Sequence, residues 1–264
     1  MRKTPKFLLS VRNQLNLLRH AFLFYSRIPI GKIDYSDQNL IKAFRYFPLV
    51  GIVVGGISAL VYTLSDLILP QYISVLLGII AGVIMTGALH EDGFSDFFDA
   101  FGGSHDKEKA LEIMKDSHIG AYGVLSLIFL LLTKYTLLLS LSGQYIPWIF
   151  IASGASARLM PIITSKISTY ARNENQKSKS LHLRIRIDNV TTTIATLFAG
   201  LPLLLLPWEV SAIVIPVYVL ILFVMKWYTE RRIGGYTGDT LGALEQFCEV
   251  AFYLSASVML SIYP

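Results

Sequence analysis

Apolar residues in this chain come in long unbroken runs, not in the alternation of a half-buried strand or the narrow stripe of a soluble helix. Runs near the roughly 20 residues needed to cross a bilayer occupy 44–68, 71–90, 124–142, 145–165, 190–207, 210–228 and 246–263. They predict an all-α, polytopic integral membrane helical bundle of about seven transmembrane helices, a single membrane-embedded domain over 1–264. Pro202, Pro207 and Pro216 fall in the pair at 190–228 and could break it or turn it back. The stretch before the first run has a different pattern. Phe7, Leu8, Val11, Leu15, Leu18 and Phe22 recur at helical spacing with arginines between them. Residues 1–35 are therefore expected to lie in the membrane interface as an amphipathic segment, and the arginines argue against a secretory signal.

Composition agrees. Only 16% of residues are charged against about 25% in soluble domains, 53% are hydrophobic, and the mean hydropathy is +0.55. A net charge of +5 would raise the question of nucleic acid in a soluble protein. Here the basic residues set topology, and no nucleic-acid partner is expected. With the N-terminus in the cytoplasm, Lys and Arg fall in 2–45, 107–115, 158–186 and 226–232, with Lys134 alone inside a span. The short turns near 69–71, 143–146 and 208–210 carry none, the positive-inside pattern of a multi-pass bacterial inner-membrane protein. Segments 91–123, 166–189 and 229–245 then open on one face and can build one site. The single cysteine, Cys248, offers neither a disulfide nor a thiolate cluster, so any metal should be bound by oxygen.

Charge is segregated between these segments: residues 91–118 hold eight of the 18 acids, whereas 166–189 is mainly basic. On a helix Asp92, Asp96 and Asp99 share a face at i, i+4 and i+7. Three carboxylates that close repel unless a cation lies between them, and carboxylates with phosphate oxygens suit magnesium, or manganese. The bland alternative is an acidic helix N-terminus answering the helix dipole. EF-hand spacing is absent. Gly102 and Gly103 could bring backbone amides to a phosphate or simply make a turn. Lys115, Asp116 and Ser117, just before the glycine turn back into the bilayer, are further binding candidates. The second glycine-rich loop, at 229–245, combines Gly235, Gly238 and Asp239 and lacks the Walker ending; Asp239 could add a ligand. Glu245 and Glu249 sit i, i+4 inside the last span, where carboxylates are costly. Arg158 could bind phosphate bidentately or snorkel. Lys134, near mid-membrane, must pair or line a cavity. The histidines form no metal pattern. His20, His105 and His182 read as surface residues, while His90, beside the aspartates, could act as general base or only hydrogen-bond a carboxylate.

These residues resemble a known family, the adenosylcobinamide-GDP ribazoletransferases or cobalamin synthases. The likeness spans nearly the whole chain and is most specific from His90 to Gly123. There the His-x-Asp-Gly-x-x-Asp-x-x-Asp opening, the Gly-Gly pair and the run from Leu111 to Gly123 follow the family pattern. Supporting matches are Ser26-Arg27-Ile28-Pro29-Ile30, Phe47-Pro48-Leu49-Val50-Gly51 and Gly235-Tyr236-Thr237-Gly238-Asp239-Thr240-Leu241-Gly242-Ala243. Glu91 and Phe94 stand where the family usually has leucine, Ala100 replaces a glycine, and His118 an arginine.

The resemblance implies a magnesium-dependent enzyme that completes the nucleotide loop of cobalamin. An oxygen of alpha-ribazole, free or as its 5′-phosphate, would attack the cobinamide-linked phosphorus of adenosylcobinamide-GDP and release GMP. It implies Asp92, Asp96, Asp99 and Asp239 as metal or catalytic groups, Arg27, Lys115 and Arg158 as phosphate holders, and His90 or an aspartate as proton acceptor. Association with further copies of the chain or with other corrinoid-pathway enzymes stays open. Two rivals remain. A CDP-alcohol phosphatidyltransferase-like enzyme also clusters aspartates after a membrane helix, but the arginine its motif carries after the glycine is absent behind Gly93. A cation transporter would line a path with Lys134, Glu245 and Glu249.

Overall fold

The computed structural model describes residues 6–33, 35–172 and 187–262, with side chains of the first helix from Val11 onward. His182 and the side chains of Phe7 and Leu8 lie outside the described residues. Those described are mostly helical, with no strand among them and an isolated bridge between Tyr170 and Tyr236. After α1 (Lys6–Tyr25), α2 (Asp37–Ala43) runs through a tight turn at Phe44–Tyr46 into α3 (Phe47–Asp66). Then come α4 (Gln71–Thr86), α5 (Leu89–Gly103), α6 (Lys107–Ile113), α7 (Ala121–Leu139), α8 (Ile146–Ala157), α9 (Leu159–Ile167), α10 (Asn189–Gly200), α11 (Trp208–Ile233) and α12 (Gly238–Ile262).

Among the described residues five segments are long and apolar enough to cross a membrane: Asp37–Asp66, Ala121–Leu139, Ile146–Ile167, Trp208–Ile233 and Gly238–Ile262. A sixth is obtained if α4 and α5 count as one broken span. This lowers the expected count of seven, for two local reasons. The run at 71–90 is helical for 16 residues and then bends by 87°; at 1.5 Å per residue α4 is about 24 Å long, short of a roughly 30 Å hydrocarbon core. The run at 190–207 yields the 12-residue α10 and a 3-10 turn carrying Pro202. Pro216, by contrast, sits inside an unbroken α11, and Pro207 caps its start.

The bend after α4 is made by two consecutive left-handed residues, Gly87 (φ 67°) and Ala88 (φ 58°). Their amides return to the carbonyls of Ile84 and Val83 at 3.1 and 2.9 Å, closing the helix. Glycine takes this conformation freely, whereas alanine there costs about 1 kcal/mol or more. Gly87 also admits Arg27, since a Cβ would fall 2.2 Å from its Nε.

Helix packing relies on small residues, as expected where lipid supplies no hydrophobic drive. A Cβ on Gly51 would come within 2.1 Å of the Gly154 carbonyl oxygen, and one on Gly55 within 2.3 Å of the Phe150 carbonyl oxygen, so α3 and α8 meet backbone to backbone. Away from this core, Ile215, Leu220, Phe223 and Trp227 of α11 and Leu125, Phe129 and Leu132 of α7 are exposed, as helices facing acyl chains require. On α1, Val11 and Leu15 of the expected apolar stripe are exposed, and a second stripe, Leu17, Ala21 and Tyr25, packs against Phe44 and Phe47.

Candidate functional site

Asp92, Asp96 and Asp99 stand on α5, the helix their spacing expects, and most of the segment 91–123 is helical, in α5 and α6. The three carboxylates differ in what they touch. Asp99 is buried with both oxygens engaged: Oδ2 accepts from the Gly120 amide at 2.7 Å and Oδ1 from the Gly123 amide at 2.8 Å. It caps the N-terminus of α7, where a negative charge is favoured. A Cβ on Gly120 or Gly123 would approach its oxygens to 2.5 or 2.3 Å, which accounts for both glycines. The shared spacing that grouped Asp99 with a metal set thus conceals a capping contact.

Asp92 is exposed and Asp96 half-buried, and both belong to the neighbourhood of Asp239 at the start of α12. Backbone contact makes this convergence. A Cβ on Gly93 would lie 3.0 Å from the Asp239 carbonyl oxygen and 3.4 Å from Gly242 Cα, so α5 and α12 touch through two glycines. The carboxylates of Asp239, Asp92 and Asp99 all act on Asp96, opposed by Arg172. Thr237 and Thr240 cap the start of α12 reciprocally, the Thr237 amide donating to Thr240 Oγ1 at 2.9 Å and the Thr240 amide to Thr237 Oγ1 at 3.2 Å.

Arg172, which sequence reasoning passed over, is a cation beside these acids among the described residues. Its guanidinium meets Asp239 Oδ2 at 2.8 Å and the Met114 carbonyl at 3.4 Å. It is carried there by two backbone hydrogen bonds, Tyr236 amide to Thr169 carbonyl and Ala171 amide to Tyr236 carbonyl, both 2.9 Å. Gly235 permits that approach, because a Cβ would come within 2.0 Å of the Thr169 oxygen. The only signal in the sequence was the basic character of 166–189. Arg232, donating to the Ser104 carbonyl at 2.6 Å, joins the end of α5 to α11. The three segments expected to share a face therefore do meet among the described residues.

Other candidates fall elsewhere. Lys115, Asp116 and Ser117 are exposed beyond α6, and hydrogen bonds from the His118 ring (2.6 Å) and amide (3.0 Å) hold the Asp116 carboxyl below its usual range. Gly102 and Gly103 end α5, where Gly102 makes room for the Tyr122 ring, 2.7 Å from a would-be Cβ. Gly238 begins α12 at the edge of the aspartate pocket. Arg27 is exposed at the α4–α5 bend. Arg158 and Glu245 leave the phosphate-facing group: both are buried, and they pair with each other at 3.0 Å.

His90 is buried, with Nε2 unpartnered, and borders two cavities. One, about 150 Å³, is lined by Tyr25, Phe44, Phe47, Leu89, Asp92 and Asp239 among others. The second, about 40 Å³, lies among Glu91, Lys134, Arg158, Gln246 and Glu249.

Among the described residues no three His, Cys, Asp or Glu side chains are close enough to hold a metal by themselves. Asp92, Asp96 and Asp239 fit a magnesium-type ion in donor chemistry, because such an ion binds through one or two carboxylates and completes its shell with water and substrate phosphates.

The family model described as cobalamin-5-phosphate synthase matches residues 17–257. The chain belongs to this family. The adenosylcobinamide-GDP ribazoletransferase of Shewanella amazonensis is 40% identical over 250 residues, covering 92% of this chain and 95% of that protein. Its namesake from Vibrio cholerae is 36% identical over 247 residues, covering 92% and 94%. No solved structure matches.

The departure of this cobalamin synthase family member at Glu91 acquires a partner in the structure. Glu91 lies 3.9 Å from Lys134 Nζ and accepts from Gln246 at 3.3 Å; Lys134 also pairs closely with Glu249, which accepts from Tyr253 at 3.0 Å. Lys134, Glu245 and Glu249, which a transport path would need, are thus tied into ion pairs between helices.

Proposed function

We propose that the protein joins alpha-ribazole or its 5′-phosphate to adenosylcobinamide-GDP with release of GMP, the phosphoryl-transfer step that completes the cobalamin nucleotide loop. The observation that carries this reading is the meeting of Asp92 and Asp96 with Asp239 and Arg172 at one end of a membrane bundle, in a chain of this family. Such a site suits a diphosphate: carboxylates to bind a bridging cation and a guanidinium for phosphate oxygens. Magnesium, or manganese, would neutralise charge on the diphosphate when bound.

A ribose hydroxyl of ribazole forms the new P–O bond, the P–O bond to the GMP phosphate breaks, and the hydroxyl proton passes to a base. Asp239 and one of Asp92 and Asp96 are the proposed ligands, with Asp99 positioning α7 instead. Arg172, paired with Asp239, steadies the leaving phosphate. His90 or the carboxylate among Asp92 and Asp96 left unligated takes the proton. The positive-inside bias of the basic segments supports a bacterial inner-membrane protein with this end of the bundle and the N-terminus facing the cytoplasm, where an amphiphilic corrinoid can approach along the surface.

The deciding experiment is cobalamin and GMP formation by purified protein in lipid, given both substrates with and without magnesium. Metal-dependent, stoichiometric products are expected; a well-folded sample that forms none sinks the reading and brings CDP-diacylglycerol turnover to the front.

A further inference from the structure

The pocket beside Asp92 and Asp239 has a composition unlike the rest of the site. Tyr25, Phe44 and Phe47 form its aromatic wall, with Tyr25 and Phe47 centroids 4.2 Å apart and Phe44 5.5 Å from Phe47. Pro161, Leu89 and Leu241 add apolar surface. Its polar groups are few: Asp92, Asp239, the Tyr25 hydroxyl and His90, whose buried Nε2 has no partner. At about 150 Å³ it is smaller than the roughly 300 Å³ or more of a pocket for a whole drug-sized ligand. It takes one group of a substrate, not the corrin macrocycle.

We propose that this pocket receives the flat heterocyclic base of the ribazole, setting the attached ribose against Asp92 and Asp239. The proposal rests on the ribazole transfer proposed above and adds which substrate part binds where. Aromatic walls favour a planar, weakly polar ring system. They suit the guanine of the second substrate less, because its edge carries several donors and acceptors while Asp92 and Asp239, two of the pocket's few polar side chains, are assigned to the reacting centre. A benzimidazole-type base has little edge polarity, and His90 can meet a ring nitrogen. Asp92 and Asp239 line the same pocket, so a base seated in it holds its sugar hydroxyls beside the carboxylates proposed to bind the cation. Its walls come from α1, the Phe44–Tyr46 turn with α3, α5, α9 and α12. The interfacial helix is thereby a wall of the site as well as a contact with lipid.

Leu89 is 37% exposed at the pocket edge, so Leu89→Trp can fill the space with little burden on the core. Phe44→Leu removes a ring and keeps apolar volume. In lipid nanodiscs, each variant is expected to raise the KM for ribazole about tenfold, the size of one lost stacking contact, with the KM for adenosylcobinamide-GDP unchanged. Equilibrium dialysis with labelled ribazole should show the same loss without turnover.

An unchanged ribazole KM in folded Leu89→Trp, with the wild type active, overturns the pocket assignment and leaves the reaction standing. A wild type that neither binds nor converts ribazole overturns the reaction, and the pocket with it. A lipid that co-purifies with the wild type and is lost from Leu89→Trp, while ribazole KM holds, assigns the pocket to an acyl chain and also overturns the proposal.

Discussion

Asp92 and Asp99 are seven residues apart on one helix and do different work, because one is exposed while the other's oxygens are filled by two backbone amides. Asp92→Asn should therefore leave thermal unfolding unchanged and lower kcat/KM by about a hundredfold or more, the usual scale for a lost electrostatic group at a reacting centre. Asp99→Ala should show the reverse emphasis: a capping loss of about 1–2 kcal/mol, read as a lower Tm in detergent, with part of the turnover retained. Abolished turnover at an unchanged Tm for Asp99→Ala would return that carboxylate to the ligand set. The motif spacing made the acidic face legible. It could not distinguish ligand from cap, since that depends on Gly120 and Gly123 returning from a separate helix. Arg172 was harder still, being brought to Asp239 by backbone pairing between segments more than sixty residues apart.

Among the helices, the α3–α8 contact is the one whose geometry leaves least room. Gly51 and Gly55 form a small-x-x-x-small pattern that reads directly from the sequence, and the structure spends it on backbone contact with Phe150 and Gly154. Gly55→Leu should separate these helices and lower both yield of folded protein and Tm, whereas Gly56→Leu should be tolerated, since a Cβ at Gly56 meets nothing within 4 Å. Equal behaviour of the two variants would refute the contact. The 87° bend after α4 is a different kind of feature. Gly87 hints at a helix end, but hydropathy alone carries the run to residue 90, because a bend changes direction without changing composition.

Across the whole bundle, the interior charges are the most consequential burial. Lys134 neutralises Glu249 and approaches Glu91, while Arg158 takes Glu245. Removing one partner of such a set strands a charge at low dielectric, at a cost of about 3–5 kcal/mol. Lys134→Met should sharply lower Tm, and Lys134→Met with Glu249→Gln should recover part of the loss; a single variant as stable as the wild type would show that the network carries no such weight. Orientation has its own test. Cys248 is buried and Ser117 exposed, so Ser117→Cys should react with an impermeant maleimide in inside-out vesicles and not in intact cells.

The sequence by itself determined that the chain is helical and membrane-borne, which segments share a face, and that the acids near His90 belong to a family pattern, because hydropathy, charge bias and motif spacing are properties of local order along the chain. Tertiary structure alone decided which carboxylates remain open, which cation stands beside them, where Lys134 finds its counter-charges and which rings wall the pocket at Asp92 and Asp239. Those relations join residues far apart in the chain, and they arise only when glycine-permitted backbone contacts fix one helix against another.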